Sequence, residues 1–214
     1  MLLKLYVFPP SPRSFKVLAA ASFLDLEHET CVVDLGKGEQ RRPDYAGINP
    51  NRKVPVLEEN GFHLWEANAI LQYLTGKRPD SGLLPQDPAR RAQVAQWQFW
   101  DLAHWEPAIA PVLLERCIKP LLGLGEPVAA EIERGLEGFA RVAPVLDDQL
   151  GSSRFVAGPD LTVADFSIGA ILNLSEMAGL PVEEYPNIRR WHDELGALPG
   201  WRQAMVSPPC NPPP

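Results

Sequence analysis

The chain has 214 residues, of which 45% are hydrophobic and 22% are charged, as in a globular protein with a substantial buried core. Acidic residues outnumber basic ones by 27 to 20, giving a formal charge of -7. This balance argues against a nucleic-acid partner, because binding to phosphates needs a basic surface. The length fits one large domain or two small ones.

The first eight residues form too short an apolar run for a signal peptide, and no later run approaches membrane-spanning length. We therefore expect a cytoplasmic protein without a membrane partner. Cys31, Cys117 and Cys210 lie far apart and show no Cys-x-x-Cys or metal-binding spacing. We interpret the three cysteines as buried or incidental thiols and expect no bound metal.

The chain begins with alternating strand and helix signals. Residues 2–8 are predicted as a strand and residues 12–24 as a helix, with Ser11 at its N-cap and Pro12 at its first position. Residues 29–35 alternate as a second strand, and residues 43–48 form a short connection.

Two short strands, 54–58 and 62–65, flank Glu59-Asn60-Gly61, whose Asn-Gly pair is a strong hairpin signal. A helix over 67–75 follows and ends at Gly76. The order of these elements predicts an α/β domain over residues 1–78 with a mixed sheet.

Residues 79–88 are rich in proline and predict a linker. No strand signal follows, and we expect an all-helical domain over residues 89–205, with breaks or kinks at Pro107 and Pro111. Thr162 and Asp165 form a capping-box pattern at the start of one helix. Residues 206–214 are predicted as a Pro-rich tail, with five prolines after Ser207.

Pro55 stands between two valines at the start of an apolar run, a position typical of a strand start, an edge or a bulge. A cis Val54-Pro55 bond would leave the Val54 amide and carbonyl free to pair with an extended peptide. Glu66 begins the next helix, where free backbone amides can hold an anion. The same residues also fit a buried strand, a tight turn and an ordinary helix cap.

Taken in order, these motifs resemble those of the cytosolic glutathione S-transferases over residues 1–205. The motifs are Ser11 at a helix start, Asn49-Pro50-Asn51-Arg52-Lys53-Val54-Pro55-Val56-Leu57, Glu66-Ala67-Asn68-Ala69-Ile70 and Thr162-Val163-Ala164-Asp165-Phe166. The stretches 105–109 and 115–120 look most like the phi and related bacterial branches, which use a serine. The resemblance implies a thioredoxin-like domain that binds glutathione and a helical domain that provides most of the pocket for an electrophile.

The resemblance also implies roles for single residues. Pro55 would be cis, and the Val54 backbone would pair with the cysteinyl part of glutathione. Lys53 and Gln40 fall where family members contact the glycine carboxylate. Ser11, six residues before Val17, falls at the position of the catalytic serine, with Ser14 as its substitute.

Glu66 and Ala67 fall where the family holds the γ-glutamyl end. Family members usually have a serine after the glutamate, so Ala67 retains the backbone amide and lacks the hydroxyl. A missing charge-assisted hydrogen bond costs roughly 1.5 to 3 kcal/mol, so weak binding of glutathione is one expected consequence.

The resemblance predicts a homodimeric transferase, assembled across its two domains, that adds the glutathione thiolate to a small hydrophobic electrophile. Trp105, Ile109 and Arg116 would line the second-substrate pocket, although tryptophan and isoleucine at helical spacing also fit a core. Two alternatives stay open: a catalytically silent binding or regulatory protein of the same fold, and a glutathione-dependent lyase, peroxidase or disulfide reductase. The serine at position 11 argues against the reductase, which would need a cysteine there.

Overall fold

The computed structural model describes residues 3–206, so Cys210 and all but the first residue of the predicted tail over 206–214 lie outside the described residues. The described chain forms two units, one from residues 3–84 and 196–206 and the other from residues 85–195. Over residues 3–206, no helix is both long enough and apolar enough to cross a membrane. The cytoplasmic location stays a prediction.

A four-stranded mixed sheet forms the centre of the first unit, in the order β2-β1-β3-β4. The strands are β1 (Leu3–Val7), β2 (His28–Val32), β3 (Val56–Glu59) and β4 (Phe62–Trp65). β1 runs parallel to β2 and antiparallel to β3, and β3 pairs with β4 in a hairpin. Asn60 and Gly61 both have positive φ, at 55° and 80°, as a tight hairpin turn requires.

Three helices cover this sheet: α1 (Pro12–Phe23), α2 (Pro43–Ile48) and α3 (Ala67–Gly76). α1 packs against α3, which contacts β3 and β4. Tyr45 of α2 packs with Val33, Val54 and Val56, and its ring meets that of Tyr6 edge to face at 6.3 Å. These elements confirm the predicted thioredoxin-like α/β fold.

The last helix, α11 (Pro199–Val206), belongs to the first unit, because it packs against α1. Trp201 is fully buried, and its ring centroid lies 4.9 Å from that of Phe15. The predicted helical domain over 89–205 included this segment, since helical periodicity marks a buried face without showing which unit it packs against.

The second unit is helical, which confirms the predicted fold class of this half. Its helices are α4 (Pro88–Trp100), α5 (Glu106–Leu113), α6 (Lys119–Leu122), α7 (Ala129–Ser152), α8 (Val163–Gly169), α9 (Ser175–Ala178) and most of α10 (Pro186–Ala197). Asp87 caps α4 by accepting from the Arg90 amide at 2.9 Å. The last residue of the predicted linker over 79–88, Pro88, is therefore the first residue of α4.

Proline explains the irregular path between α4 and α6. Two π-helical segments, Asp101–Trp105 and Leu114–Ile118, join these helices. Pro107 and Pro120 follow them and have no amide hydrogen to bond the carbonyl four residues earlier. The wider π turns maintain helical direction through these positions, while Pro111 lies inside α5.

The predicted capping box at the start of α8 is confirmed, with Thr162 at the N-cap and Asp165 at the third helical position. The Asp165 carboxylate accepts from the Thr162 amide at 2.8 Å, the Val156 amide at 2.9 Å and Trp191 Nε1 at 2.9 Å. Burial raises the pKa of Asp165 to about 6, while these hydrogen bonds act to lower it. The carboxylate therefore connects α8, the preceding loop and α10 within the second unit.

Gly200 provides a test of the packing of α11. A Cβ atom at Gly200 would lie 2.4 Å from the Phe23 amide nitrogen, whereas one at Gly196 would meet no atom of the described residues within 4 Å. We expect Gly200→Ala to lower the free energy of unfolding by about 1–3 kcal/mol, because the backbone of α1 cannot move away cheaply. Gly196→Ala is the control and should be neutral or stabilising by up to about 1 kcal/mol. Chemical denaturation measures both, and equal behaviour of the two variants would contradict this packing.

Candidate functional site

Strand pairing brings three separate segments to one end of the sheet. Val56 pairs with Trp65 on one side and with Tyr6 on the other. The residues just before β3, just after β4 and just after β1 therefore lie at the same end, which we call the site end. Pro55, Glu66 and Phe8, which leads to Ser11, all lie there.

Asn49 organises the loop that enters β3. It is 2% exposed, its Nδ2 donates to the Lys53 carbonyl at 2.7 Å, and its Oδ1 accepts from the Asn51 amide at 2.9 Å. The Tyr45 hydroxyl donates to the same Lys53 carbonyl at 2.7 Å. The backbone immediately before Val54 is therefore held by two side chains to which sequence reasoning assigned no role.

The Val54-Pro55 peptide bond is cis. Over residues 3–206, neither the amide nor the carbonyl of Val54 has a hydrogen-bond partner. Because unpaired backbone groups at a strand end can add an extended chain, this backbone can bind a short peptide.

The N-terminus of α3 lies beside this backbone at the site end. Glu66 occupies the N-cap with φ at 72°, and within the described part of the chain no side chain caps the first turn. A positive φ at a residue other than glycine costs roughly 1–3 kcal/mol and is typical of functional sites. The first amides of α3 lack intrahelical partners and, with the helix dipole, favour a carboxylate.

The N-terminus of α1 carries both candidate serines, in different environments. Ser11 is partly buried and accepts from the Ser14 amide at 3.4 Å, a long contact. Among the described residues, no acceptor is found for its hydroxyl hydrogen. Ser14 is fully buried, and its Oγ accepts from the Phe8 amide at 3.1 Å. Ser11 is thus the hydroxyl better placed to donate to a ligand.

No hydrogen bond links Gln40 and Lys53 in the structure of residues 3–206. Gln40 lies in the 3-10 turn Glu39–Arg41, and its Oε1 is buried without a partner among the described residues. Lys53 is exposed, and its carbonyl receives the two hydrogen bonds from Tyr45 and Asn49. The loop position of Lys53 places it at the site end.

The three residues expected to line a second-substrate pocket have structural contacts in the second unit. Trp105 and Ile109 are both 0% exposed, and Trp105 Nε1 donates to the Ile168 carbonyl at 3.1 Å. Arg116 donates to the Ala178 carbonyl at 2.6 Å. The burial of Trp105 and Ile109 disagrees with the pocket prediction, because the same helical spacing marks a core face.

Lys16 and Asn68 were also missed by sequence reasoning. Lys16 of α1 is 3% exposed, and its Nζ donates to Asn68 Oδ1 at 3.4 Å. Asn68 is the second residue of α3. A lysine in the helical pattern gave no signal of burial, because lysine is ordinarily solvated.

Comparison with known proteins identifies the family of this chain. The family model "Glutathione S-transferase, N-terminal domain" matches residues 1–76, and "Glutathione S-transferase, C-terminal domain" matches residues 129–194. Glutathione S-transferase D7 of Drosophila melanogaster is 34% identical over 96% of this chain and 89% of its own length. Glutathione S-transferase 3 of Zea mays is 31% identical over 99% of this chain and 97% of its own.

A solved structure supports the same family. Glutathione transferase F7 from Populus trichocarpa superposes with a TM-score of 0.87, at 27% identity, over 96% of this chain and all of that one. The chain therefore belongs to the glutathione S-transferase family, since both family models match in order and the two relatives match nearly its whole length.

Proposed function

We propose that this protein is a glutathione transferase that adds the glutathione thiolate to a small hydrophobic electrophile. The observation that supports this proposal is the convergence of the Ser11 hydroxyl, the unpaired Val54 backbone and the uncapped α3 N-terminus at the site end. Glutathione offers a thiol, a peptide backbone and a carboxylate in an order that matches these groups. The transferase names of the relatives point the same way.

Each part of glutathione has a proposed partner. The cysteinyl amide and carbonyl pair with the Val54 backbone, as a strand added to an edge. The γ-glutamyl carboxylate lies at the N-terminus of α3, on the amides that follow Glu66. The glycine carboxylate is placed near Lys53 and Gln40, which offer an ammonium and an amide.

Ser11 stabilises the reacting thiolate. A free cysteine thiol has a pKa of about 8.5, so only a few per cent is ionised at neutral pH. A hydroxyl hydrogen bond and the positive end of α1 each contribute on the order of 1 kcal/mol, enough together to lower that pKa by one to two units. The thiolate sulfur then forms a bond to the electrophilic carbon. In substitution the leaving group departs with its electron pair, and in conjugate addition the resulting carbanion takes a proton from solvent.

Ala67 favours a second candidate function, a protein of the same fold that binds glutathione weakly and has no catalytic turnover. The side chain is 6% exposed and offers no donor to a carboxylate. The lyase and peroxidase alternatives have no observation of their own in their favour.

Replacing the two serines separately tests the catalytic assignment. Ser11→Ala should lower kcat/KM near neutral pH by roughly tenfold or more and move the pH profile for thiolate formation upward by about one unit. Ser14→Ala is the matched control. It removes the acceptor of the Phe8 amide and should cost about 1–3 kcal/mol of stability with an unchanged pH profile. The assignment is wrong if Ser14→Ala moves the profile and Ser11→Ala does not, and no turnover at millimolar glutathione would refute the transferase itself.

Restoring the family hydroxyl tests the placement of the γ-glutamyl group. Ala67→Ser should tighten glutathione binding about tenfold, because a hydroxyl donor to a carboxylate contributes roughly 1.5–3 kcal/mol. Titration calorimetry measures the affinity. Ala69→Ser, two residues along the same turn at an exposed position, is the control and should change it little. Unchanged affinity in Ala67→Ser would contradict the placement.

We also propose a homodimer. The edge strand β4 exposes Phe62 by 47% and Trp65 by 39%, and α4 exposes Phe99 by 70%. Exposed aromatic side chains of this size are typical of protein interfaces. Light scattering should give twice the mass of the chain, and Phe62→Ser should shift the protein toward monomer. Met177→Ser, on a residue that is 66% exposed in α9, should not. A monomeric wild type would contradict the proposal.

A further inference from the structure

A buried lysine lies behind the N-terminus of α3. Lys16 is the fifth residue of α1 and is 3% exposed. Its Nζ donates to Asn68 Oδ1 at 3.4 Å, and Asn68 is itself 8% exposed. Neither side chain takes part in the binding scheme proposed above.

Burial of an ammonium group is costly, and hydrogen bonds such as the one to Asn68 offset only part of that cost. An apolar side chain would pack between α1 and α3 at no such cost. A lysine at this position therefore needs an energetic reason beyond packing.

The position of Asn68 supplies that reason. It is the second residue of α3, so its backbone amide is one of the first-turn donors that carry the positive end of the helix dipole. The ammonium group of Lys16 lies against the side chain of this same residue. Two sources of positive potential thus coincide at one helix end, where the hydroxyl of a serine is absent at Ala67.

We propose that Lys16 is a positioning residue for the γ-glutamyl carboxylate of glutathione, acting through Asn68 and through its charge behind the α3 N-terminus. This inference rests on the proposed function, since it assigns a further residue to the same site. Lys16 fixes the side chain of Asn68, holds the first turn of α3 in place and attracts the carboxylate through a poorly screened interior. Lys16 thereby compensates for the attraction to the carboxylate that a serine hydroxyl at position 67 would provide.

The test compares two thiols that differ only in the carboxylate. Glutathione carries it, and 4-aminobutyryl-cysteinyl-glycine is the same peptide without it. Lys16→Met keeps the length of the side chain and removes the charge. It should raise KM and Kd for glutathione about tenfold with kcat nearly unchanged, and alter kcat/KM for the analogue less than twofold. Lys16→Arg should recover most of the affinity for glutathione.

Lys77→Met is the matched control. Lys77 is another partly buried lysine at the opposite end of α3, where its Nζ contacts Glu59 Oε1 at 2.6 Å. Lys77→Met should leave the ratio of kcat/KM for glutathione to kcat/KM for the analogue unchanged. If Lys16→Met does not fold, Lys16→Gln provides the same comparison with a polar side chain.

If Lys16→Met lowers kcat/KM equally for both thiols, Lys16 only supports the fold and the inference is wrong. If it leaves the affinity for glutathione unchanged, the inference is also wrong. Calorimetric measurement of Kd distinguishes a failure of the Lys16 inference from a failure of the transferase proposal. A wild type that binds glutathione without turnover refutes the transferase and still allows the Lys16 comparison through Kd. A wild type that does not bind glutathione refutes both.

Discussion

Val56 pairs with Tyr6 on one side and with Trp65 on the other, and this double register determines what the first unit can bind. Without it, Ser11, Val54 and Glu66 are separate loop residues. With it, a hydroxyl, an unpaired backbone edge and a helix N-terminus share one end of a rigid sheet. A shift of one residue in the hairpin would reverse every side chain of β4 and separate these groups, because side chains alternate along a strand.

The loop before β3 is held by buried polar contacts as well as by the apolar packing of Tyr45 and Val54. Asn49 and Tyr45 both donate to the Lys53 carbonyl, so the chain enters Pro55 along one path. Within residues 3–206, this path leaves the Val54 backbone without a hydrogen-bond partner. Buried polar groups that are hydrogen-bonded specify a conformation, because any alternative leaves a desolvated donor or acceptor. The Lys16–Asn68 contact has the same character between α1 and α3.

The second unit uses a similar device around Asp165. Its carboxylate accepts hydrogen bonds from the loop at Val156, from the cap at Thr162 and from Trp191 of α10. Trp105 also contacts α8, because its Nε1 donates to the Ile168 carbonyl. These contacts make the inner faces of α8 and its neighbours a core, and Trp105 and Ile109, which are 0% exposed, belong to that core.

The sequence alone predicted the four strands, α1 and α3 of the first unit and the helical class of the second, because apolar periodicity, Asn60-Gly61 and the Thr162–Asp165 cap are local signals that the structure bears out. The resemblance to a family also singled out Ser11, Val54-Pro55 and Glu66, which strand pairing brings to one end of the sheet. Tertiary structure decided what locality cannot: that α11 packs on α1, that Ser14 is buried while Ser11 is accessible, and that Trp105 and Ile109 are core. Helical spacing shows that a face is covered and leaves open which partner covers it. Burial of Lys16 likewise follows from the packing of two helices that are distant in sequence, which no local pattern contains.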